Sequence, residues 1–284
     1  MPELPEVETV RKGLEQLVLQ KKISEVSVYW PRIIDSPEVE LFTHQLIGET
    51  IEQVNRRGKF LIFSLTHVDM VSHLRMEGKY EFHQNGDALA KHTHVVFRFD
   101  DGTELRYLDV RKFGRMTLLE KGAWPTHPGI RKLGPEPVSE QFHLAPFREG
   151  LKRSAKAVKP LLLEQKLVTG LGNIYVDEAL FRSRIHPLQE ASTLTKQETA
   201  VLHSEIIAVL AEAVAAGGTT IRTYQNALGE AGKFQVALSV YGQTGKPCPV
   251  CGTPIEKIKV AQRGTHYCPT CQKYRKRVIK QVRA

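Results

Sequence analysis

Val7, Val10, Leu14, Leu17 and Val18 recur at the spacing of one helix face, which predicts a helix close to the start of the chain. From Ile23 to Leu119 the pattern shortens to that of strands. Ile23–Val28, Lys59–Leu65, Lys79–His83, Thr93–Phe99, Thr103–Leu108 and Arg115–Leu119 are β-branched and aromatic runs separated by turn residues. Asp100-Asp101-Gly102 predicts a hairpin between two of them. Several short strands with little helix between them predict a sandwich or barrel, not a parallel sheet. The Pro/Gly-rich stretch from Trp124 to Pro137 reads as a linker. Beyond it, Leu151 to Ser183 is helical, broken at Thr169-Gly170-Leu171-Gly172. Thr195 to Ala216 is a second helix, opened by a Thr195/Glu198 capping box and stopped by Gly217-Gly218. A polar, Gly-containing loop from Thr219 to Phe234 follows, and there are no internal repeats.

A chain of 284 residues suits two domains, or two plus a small module. It is 41% hydrophobic, enough for a sizeable core. The net charge of +9 points to a polyanionic partner, although many basic proteins bind nothing acidic. No apolar run suits a bilayer span, and no signal peptide precedes the first helix. All four cysteines fall in one short segment, so a disulfide framework is not expected and a reducing, intracellular location is.

The chain opens Met1-Pro2-Glu3-Leu4-Pro5-Glu6. Removal of Met1 is expected before a small residue and leaves the secondary amine of Pro2 at the terminus. A terminal amine has a pKa of about 8, against about 10.4 for lysine, so far more of it is neutral at pH 7. The neutral form attacks carbonyl-like carbon, and a secondary amine then yields an iminium ion, a constant electron sink. Pro5 suits the first turn of the predicted helix, and Glu6 and Glu8 suit its positive end, whose field lowers the amine's pKa further. Pro and Glu are also ordinary helix-starting residues, so the opening alone supports both readings.

Cys248-x2-Cys251 and Cys268-x2-Cys271, sixteen residues apart, form two hooks suited to one tetrahedral zinc. Four thiolates leave no open coordination position, so the metal is expected to be structural. The segment between the hooks carries Lys257, Lys259, Gln262 and Arg263, which suit phosphate contacts. Arg275, Lys276, Arg277, Lys280 and Arg283 either add non-specific attraction or are simply solvated. In the helical half, Gly170-x-Gly172-Asn173 joins two apolar stretches, and backbone amides at the second helix's start suit a phosphate. Asn173 can cap that helix and still reach a phosphate. The nearby Lys152, Arg153, Lys156 and Lys159 read equally as a solvated face or a contact surface.

PELPEVETVR, HLRMEGKY, DVRKFGRM, GLGNIYVDEALFRSRIHP and the four-cysteine finger resemble the bacterial formamidopyrimidine-DNA glycosylases, over essentially the whole chain. The resemblance implies an α+β multidomain protein. Its parts would be an N-terminal catalytic β-sandwich domain with an N-terminal helix (1–131), a linker (132–146), a helix-two-turn-helix DNA-binding domain with a lesion-facing loop (147–237), a zinc-finger β-hairpin (238–273) and a basic tail (274–284). It implies excision of oxidised purines, chiefly 8-oxoguanine and formamidopyrimidines, followed by strand cleavage. Pro2 resembles the Schiff-base nucleophile, Glu3 the acid that assists ring opening or base departure, and Glu6 a support for the amine and its water. Lys59 and Arg263 resemble the residues acting in the first and second eliminations. His73, Met76, His92, Arg111, Phe113, Lys159, Asn173 and Tyr241 resemble DNA-contacting positions. Met76, Arg111 and Phe113 fit a trio that fills the void left by a flipped base. Taken singly, Met76 and Phe113 also read as core residues, although their polar neighbours suit loop tips. Glu77, Arg222, Thr223 and Tyr224 would face that base. One structural zinc and no catalytic cofactor are implied. The implied partner is double-stranded DNA with an oxidised purine opposite cytosine, engaged by a monomer in the bacterial cytoplasm, associated with the nucleoid.

The sister endonuclease VIII group shares Pro2, Glu3, the helical turn and the finger but prefers oxidised pyrimidines, and its opening has Gly where this chain has Leu4. Leu4, Met76 and the Arg111-x-Phe113 pair favour the purine-specific branch. A catalytically silent zinc-ribbon DNA-binding protein is the rival from another class. Ala155 interrupts a stretch that is more continuously basic in some relatives, and thirteen residues follow Cys271, beyond where many relatives stop.

Overall fold

A computed structural model describes residues 2–84, 86–219 and 238–275. The chain divides into two units, Met1–Lys132 with Ala213–Val236, and Leu133–Glu212 with Ala237–Ala284.

The first unit begins with helix α1 (Leu4–Val18). Nine strands follow: β1 (Ile23–Val28), β2 (Ile34–Ser36), β3 (Ile51–Arg57), β4 (Phe60–Leu65), β5 (Val68–His73), β6 (Lys79–Gln84), β7 (Thr93–Phe99), β8 (Thr103–Leu108) and β9 (Arg115–Glu120). A short helix α2 (Val39–Leu46) lies between β2 and β3 in the chain. One sheet has the order β1-β7-β8-β6 and is antiparallel throughout. The other has the order β2-β9-β5-β4-β3 and is antiparallel except for the β2·β9 pair. Val7, Val10, Leu14 and Val18 of α1 share one buried core with Phe97 and Leu105 of the first sheet and Leu61, Phe63 and Met116 of the second. A fully buried side chain of this size stabilises the fold by about 1.5–3 kcal/mol.

Four elements of the first unit went unread in the sequence. β3 exposes Glu52, Gln53 and Asn55 and reads as polar. β5 lies between β4 and β9 and is buried at consecutive positions, so its period of two disappears. β2 and α2 are too short for a periodic signal; α2 buries only Phe42 and Leu46. The stretch read as a linker from Trp124 is corrected in its first half. Trp124 and Ile130 cover Ile62 and Val71 on the outer face of the five-stranded sheet. Ile62 alternates with Leu61 and Phe63 along β4, Val71 pairs with it on β5, and both would otherwise face water.

The second unit holds α3 (Leu144–Lys152), α4 (Val158–Leu163), α5 (Asn173–Arg182), most of α6 (Lys196–Ala215) and a hairpin of β10 (Glu256–Val260) and β11 (Arg263–Tyr267). The capping box forms as expected: Thr195 N donates to Glu198 (2.8 Å) and Glu198 N to the Thr195 hydroxyl (3.1 Å). Gly217 (φ 77°) and Gly218 (φ 81°) end α6 with amide bonds to Val214 and Ala213 carbonyls. Of the expected helical domain over 147–237, the described residues 213–219 group with the first unit. Phe181 of α5 packs with Val240, Ile255, Cys248 and Cys268, which ties the cysteine knuckles to the helices. Among the described residues, no helix is long and apolar enough to cross a membrane.

Candidate active site

The start of the chain is held by carboxylates. Pro2, Glu3 and Glu6 are buried. Glu3 is the N-cap of α1 and forms a capping box with Glu6, and Pro5 stands in the first turn. Glu6 Oε2 accepts the amide of Glu3 (2.8 Å), while Oε1 accepts the amide (2.8 Å) and hydroxyl (3.0 Å) of Thr219. Glu6 therefore anchors two backbone segments, a role that its reading as a support for the amine and its water did not include. Gly218 fits here because an added Cβ would lie 2.8 Å from Glu6 Oε1. Met1 lies outside the described residues.

Lys59 is in the two-residue turn between β3 and β4, not the first residue of a strand as its sequence suggested. Gly58 (φ 56°) makes that turn possible, and Arg56 braces it by donating to Gly58 O (2.9 Å) and to Glu8 of α1 (2.9 Å). Lys59 is only 3% exposed. Next on β4, Phe60 meets the His73 ring edge-on at 4.5 Å. Burial, with the neighbouring charges of Arg75 and Lys59, pushes the His73 imidazole down to about 3. It is neutral at pH 7; Nδ1 accepts the Arg75 amide (2.9 Å), so Nε2 carries the hydrogen. Asp35, Phe60, His73, Arg75, Arg115 and His127 line a cavity of about 200 Å³.

Met76 and Glu77 lie on the loop between β5 and β6, Met76 half-buried and Glu77 exposed. Arg111 and Phe113 lie on the loop between β8 and β9, both exposed, with the guanidinium 4.7 Å from the Phe113 ring centre. The buried carboxylate of Asp109 organises this loop, accepting the amides of Arg111 (3.0 Å), Phe113 (2.8 Å) and Gly114 (2.8 Å). His92 has positive φ (69°), and its carbonyl accepts the Asp109 amide (3.1 Å). Arg222, Thr223 and Tyr224 lie outside the described residues.

In the second unit, Lys159 is fully buried, and its ammonium donates to Asp177 (2.7 Å) and to the Thr265 hydroxyl of the hairpin (2.8 Å). Its reading as a surface contact for DNA is corrected: with no exposed surface, the side chain joins helices to finger instead. Lys152, Arg153 and Lys156 of the same run are exposed. Asp177 also accepts the His266 amide (2.9 Å). Gly172, not Asn173, is the N-cap of α5, and the Asn173 side-chain amide donates to Gly264 O (2.8 Å). Glu178 accepts three consecutive amides, Ser239, Val240 and Tyr241, each at 2.9 Å. Two left-handed residues, Ala261 and Gln262, turn the hairpin, leaving Lys257, Lys259, Gln262 and Arg263 exposed. Arg275, read as either a non-specific attraction or a solvated side chain, is held by Glu198 and Gln189. Lys276, Arg277, Lys280 and Arg283 lie outside the described residues.

The four cysteine sulfurs lie within 4.8 Å of one another, with Cys248–Cys271 at 3.9 Å and Cys251–Cys268 at 3.5 Å. Sulfurs on a tetrahedral zinc with bonds of about 2.3 Å stand about 3.8 Å apart, so the set fits one structural zinc. Sequence reasoning found these ligands and missed Asp109, Asp177, Glu178 and the Glu8–Arg56 pair. Two adjacent carboxylates in the otherwise apolar NIYVDEALF helix were the available signal. For Asp109 it was the turn-forming Asp ahead of Arg-Lys-Phe-Gly.

Below pH 6.5 an unfolded His73 takes up a proton that the folded protein refuses until about pH 3, so folding stability falls as pH drops through that window. Thermal melts from pH 7.5 to 5 should fall less steeply for His73→Gln than for the unaltered chain; equal slopes would remove this role. Lys159→Met strands the Asp177 charge and should lower unfolding free energy by about 3–5 kcal/mol in denaturant titrations. A surface phosphate contact would instead leave stability intact and reduce the salt slope of DNA binding by about one. Cys268→Ser should release zinc, measured by metal analysis, and weaken DNA binding; undiminished affinity after metal loss would separate the finger from binding.

Family comparisons agree with this arrangement. Residues 1–116 match the formamidopyrimidine-DNA glycosylase N-terminal domain, residues 133–225 its H2TH domain, and residues 245–273 the zinc finger found in FPG and IleRS. A formamidopyrimidine-DNA glycosylase of Enterococcus faecalis is 69% identical over 99% of this chain and 100% of its own length. One from Bacillus licheniformis is 57% identical over 96% of this chain and 100% of its own. The solved structure of Lactococcus lactis Fpg with abasic-site DNA superposes with a TM-score of 0.90 at 45% identity, covering 96% of this chain and 100% of that one. A point mutant of the same enzyme, solved with Fapy-dG DNA, gives 0.91 at 46%, with the same coverage. The chain belongs to the formamidopyrimidine-DNA glycosylase family.

Proposed function

We propose that the chain is a bifunctional DNA glycosylase and abasic-site lyase. It removes oxidised purines, 8-oxoguanine and formamidopyrimidines, from duplex DNA opposite cytosine, acting as a monomer on bacterial cytoplasmic DNA. The observation that carries this reading is the buried Pro2-Glu3 start at the positive end of α1, anchored by Glu6. After loss of Met1, the neutral Pro2 nitrogen attacks C1′ of the damaged nucleotide as the bond to the base breaks. Glu3 supplies the proton for ring opening or base departure. The nitrogen loses its proton, and the C1′–O4′ bond then breaks with O4′ taking up a proton, which leaves an iminium ion that acidifies the 2′ hydrogens.

Lys59, close enough to His73 to depress its pKa, is suited to the first elimination, in which a C2′ proton leaves and the 3′ phosphate is expelled. Arg263, exposed beside the hairpin turn, is suited to the second, which expels the 5′ phosphate. His73, His92, Asn173 and Tyr241 serve phosphate and backbone positioning. Asn173 and Tyr241 do so from segments fixed by Gly264 O and Glu178. Extrusion of the base leaves a gap in the duplex. Met76 and Phe113 fill it, and Arg111 hydrogen-bonds the orphaned cytosine. Phe113, an aromatic ring 46% exposed at a loop tip, supports this use. Glu77 and the Arg222-Thr223-Tyr224 segment face the extruded base.

Borohydride reduction during reaction with an 8-oxoguanine·cytosine duplex should bond DNA to the N-terminal peptide. Mapping the link to an internal lysine would refute the Pro2 assignment. Pro2→Gly keeps an amine but loses the ring. It should cut strand cleavage by about a hundredfold or more, with duplex affinity unchanged. Faster cleavage of a thymine-glycol duplex than of the 8-oxoguanine duplex would instead assign the pyrimidine branch.

A further inference from the structure

We propose that the Tyr107–Asp109 pair positions the two void-filling loops relative to each other; the inference rests on the function proposed above. The Tyr107 ring is fully buried and packs edge-on with Tyr80 at 5.2 Å, a role that phenylalanine would fill as well. The hydroxyl is the part that packing does not explain. It lies 3.5 Å from Asp109 Oδ2, the oxygen that also accepts the Phe113 and Gly114 amides.

Two glycines, one from each loop, close around that hydroxyl. A Cβ on Gly78 would sit 2.2 Å from it, and a Cβ on Gly114 would sit 1.7 Å from it. Neither glycine has positive φ, so each is required for space and not for backbone freedom. Gly78 closes the Met76 loop through its amide bond to Leu74 O (3.0 Å). Gly114 closes the Arg111–Phe113 loop on Asp109. One oxygen atom therefore touches the base of both loops.

Each wedge also follows a residue in the left-handed region, Arg75 (φ 55°) before Met76 and Lys112 (φ 60°) before Phe113. Such conformations persist where the surroundings hold them. Lys112 is held by its amide bond to Asp109 O (3.2 Å) and by its ammonium over the Trp30 ring at 3.8 Å. Tyr107 and Asp109 touch neither base nor phosphate in this scheme and act through Met76, Arg111 and Phe113.

The test compares a step that needs both wedges with one that needs neither. Excision of 8-oxoguanine from a duplex requires the gap to be filled. Cleavage of a preformed abasic site in single-stranded DNA does not. Tyr107→Phe should slow duplex excision about tenfold or more, while single-strand cleavage stays within about twofold and the melting midpoint within about 3 °C. Gly114→Ala, which drives a methyl group at the same hydroxyl from the loop side, should give the same split. It decides the matter if Tyr107→Phe does not fold. Undiminished duplex excision by the Tyr107→Phe protein would overturn the proposal, and so would equal losses on both substrates. Failure of the unaltered chain to act on either substrate would instead remove the function on which the proposal rests.

Discussion

A buried backbone amide without a partner costs about 1–3 kcal/mol, and a buried carboxylate without donors costs more. Glu6, Asp109 and Glu178 meet both demands at once. Each carboxylate is nearly inaccessible, and each accepts two or more backbone amides: Glu6 at the chain start and at Thr219, Asp109 in the Arg111–Phe113 loop, Glu178 in the segment that bears Tyr241. The segments held in this way carry Pro2, Glu3, Arg111, Phe113 and Tyr241. They are irregular and cannot satisfy their own amides as helices and strands do. The carboxylates do so, and they also fix where each segment lies.

Asp177 extends the same logic to an ion pair. Its two oxygens divide between Lys159 and the His266 amide, and the Lys159 ammonium continues to Thr265. A fully buried charge pair is rarely a net source of stability relative to apolar packing, but removing one member is costly. The pair therefore specifies one arrangement of α5 against β11. The adjacent residue, Glu178, fixes the entry to the finger, so neighbouring carboxylates on one helix grip two finger segments.

Legibility in the sequence followed the range of the interaction. α1, the Thr195/Glu198 box, the Gly217-Gly218 stop and the cysteine hooks are local patterns, and the structure has them where their residues predict them. Lys59 lay one residue outside its expected strand because Gly58 makes a two-residue turn. β5 lost its alternation by being covered on both sides. Asp109, Asp177, Glu178 and the second role of Glu6 resisted reading for a different reason. A carboxylate that accepts amides looks the same in sequence as one facing water. Its partners can also be remote: Thr219 stands 213 residues from Glu6, and His266 stands 89 from Asp177. Lys159 shows the converse. In a basic run its charge suggested a polyanion, and only its depth assigns it to the interior.

That distinction sharpens what the net charge of +9 means. Lys159 with Asp177 and Arg106 with Glu104 cancel inside the protein. Among the described residues, the cations that a polyanion meets are therefore the exposed ones. Lys257, Lys259 and Arg263 are in that set, on a hairpin whose two-residue turn leaves them exposed. Release of counterions rewards cations that reach phosphates, and gives nothing for those paired internally. The finger thus needs its interior contacts to be neutral and its outer edge to be basic. The buried Lys159–Asp177 pair and Asn173 meet the first condition, and the exposed hairpin meets the second.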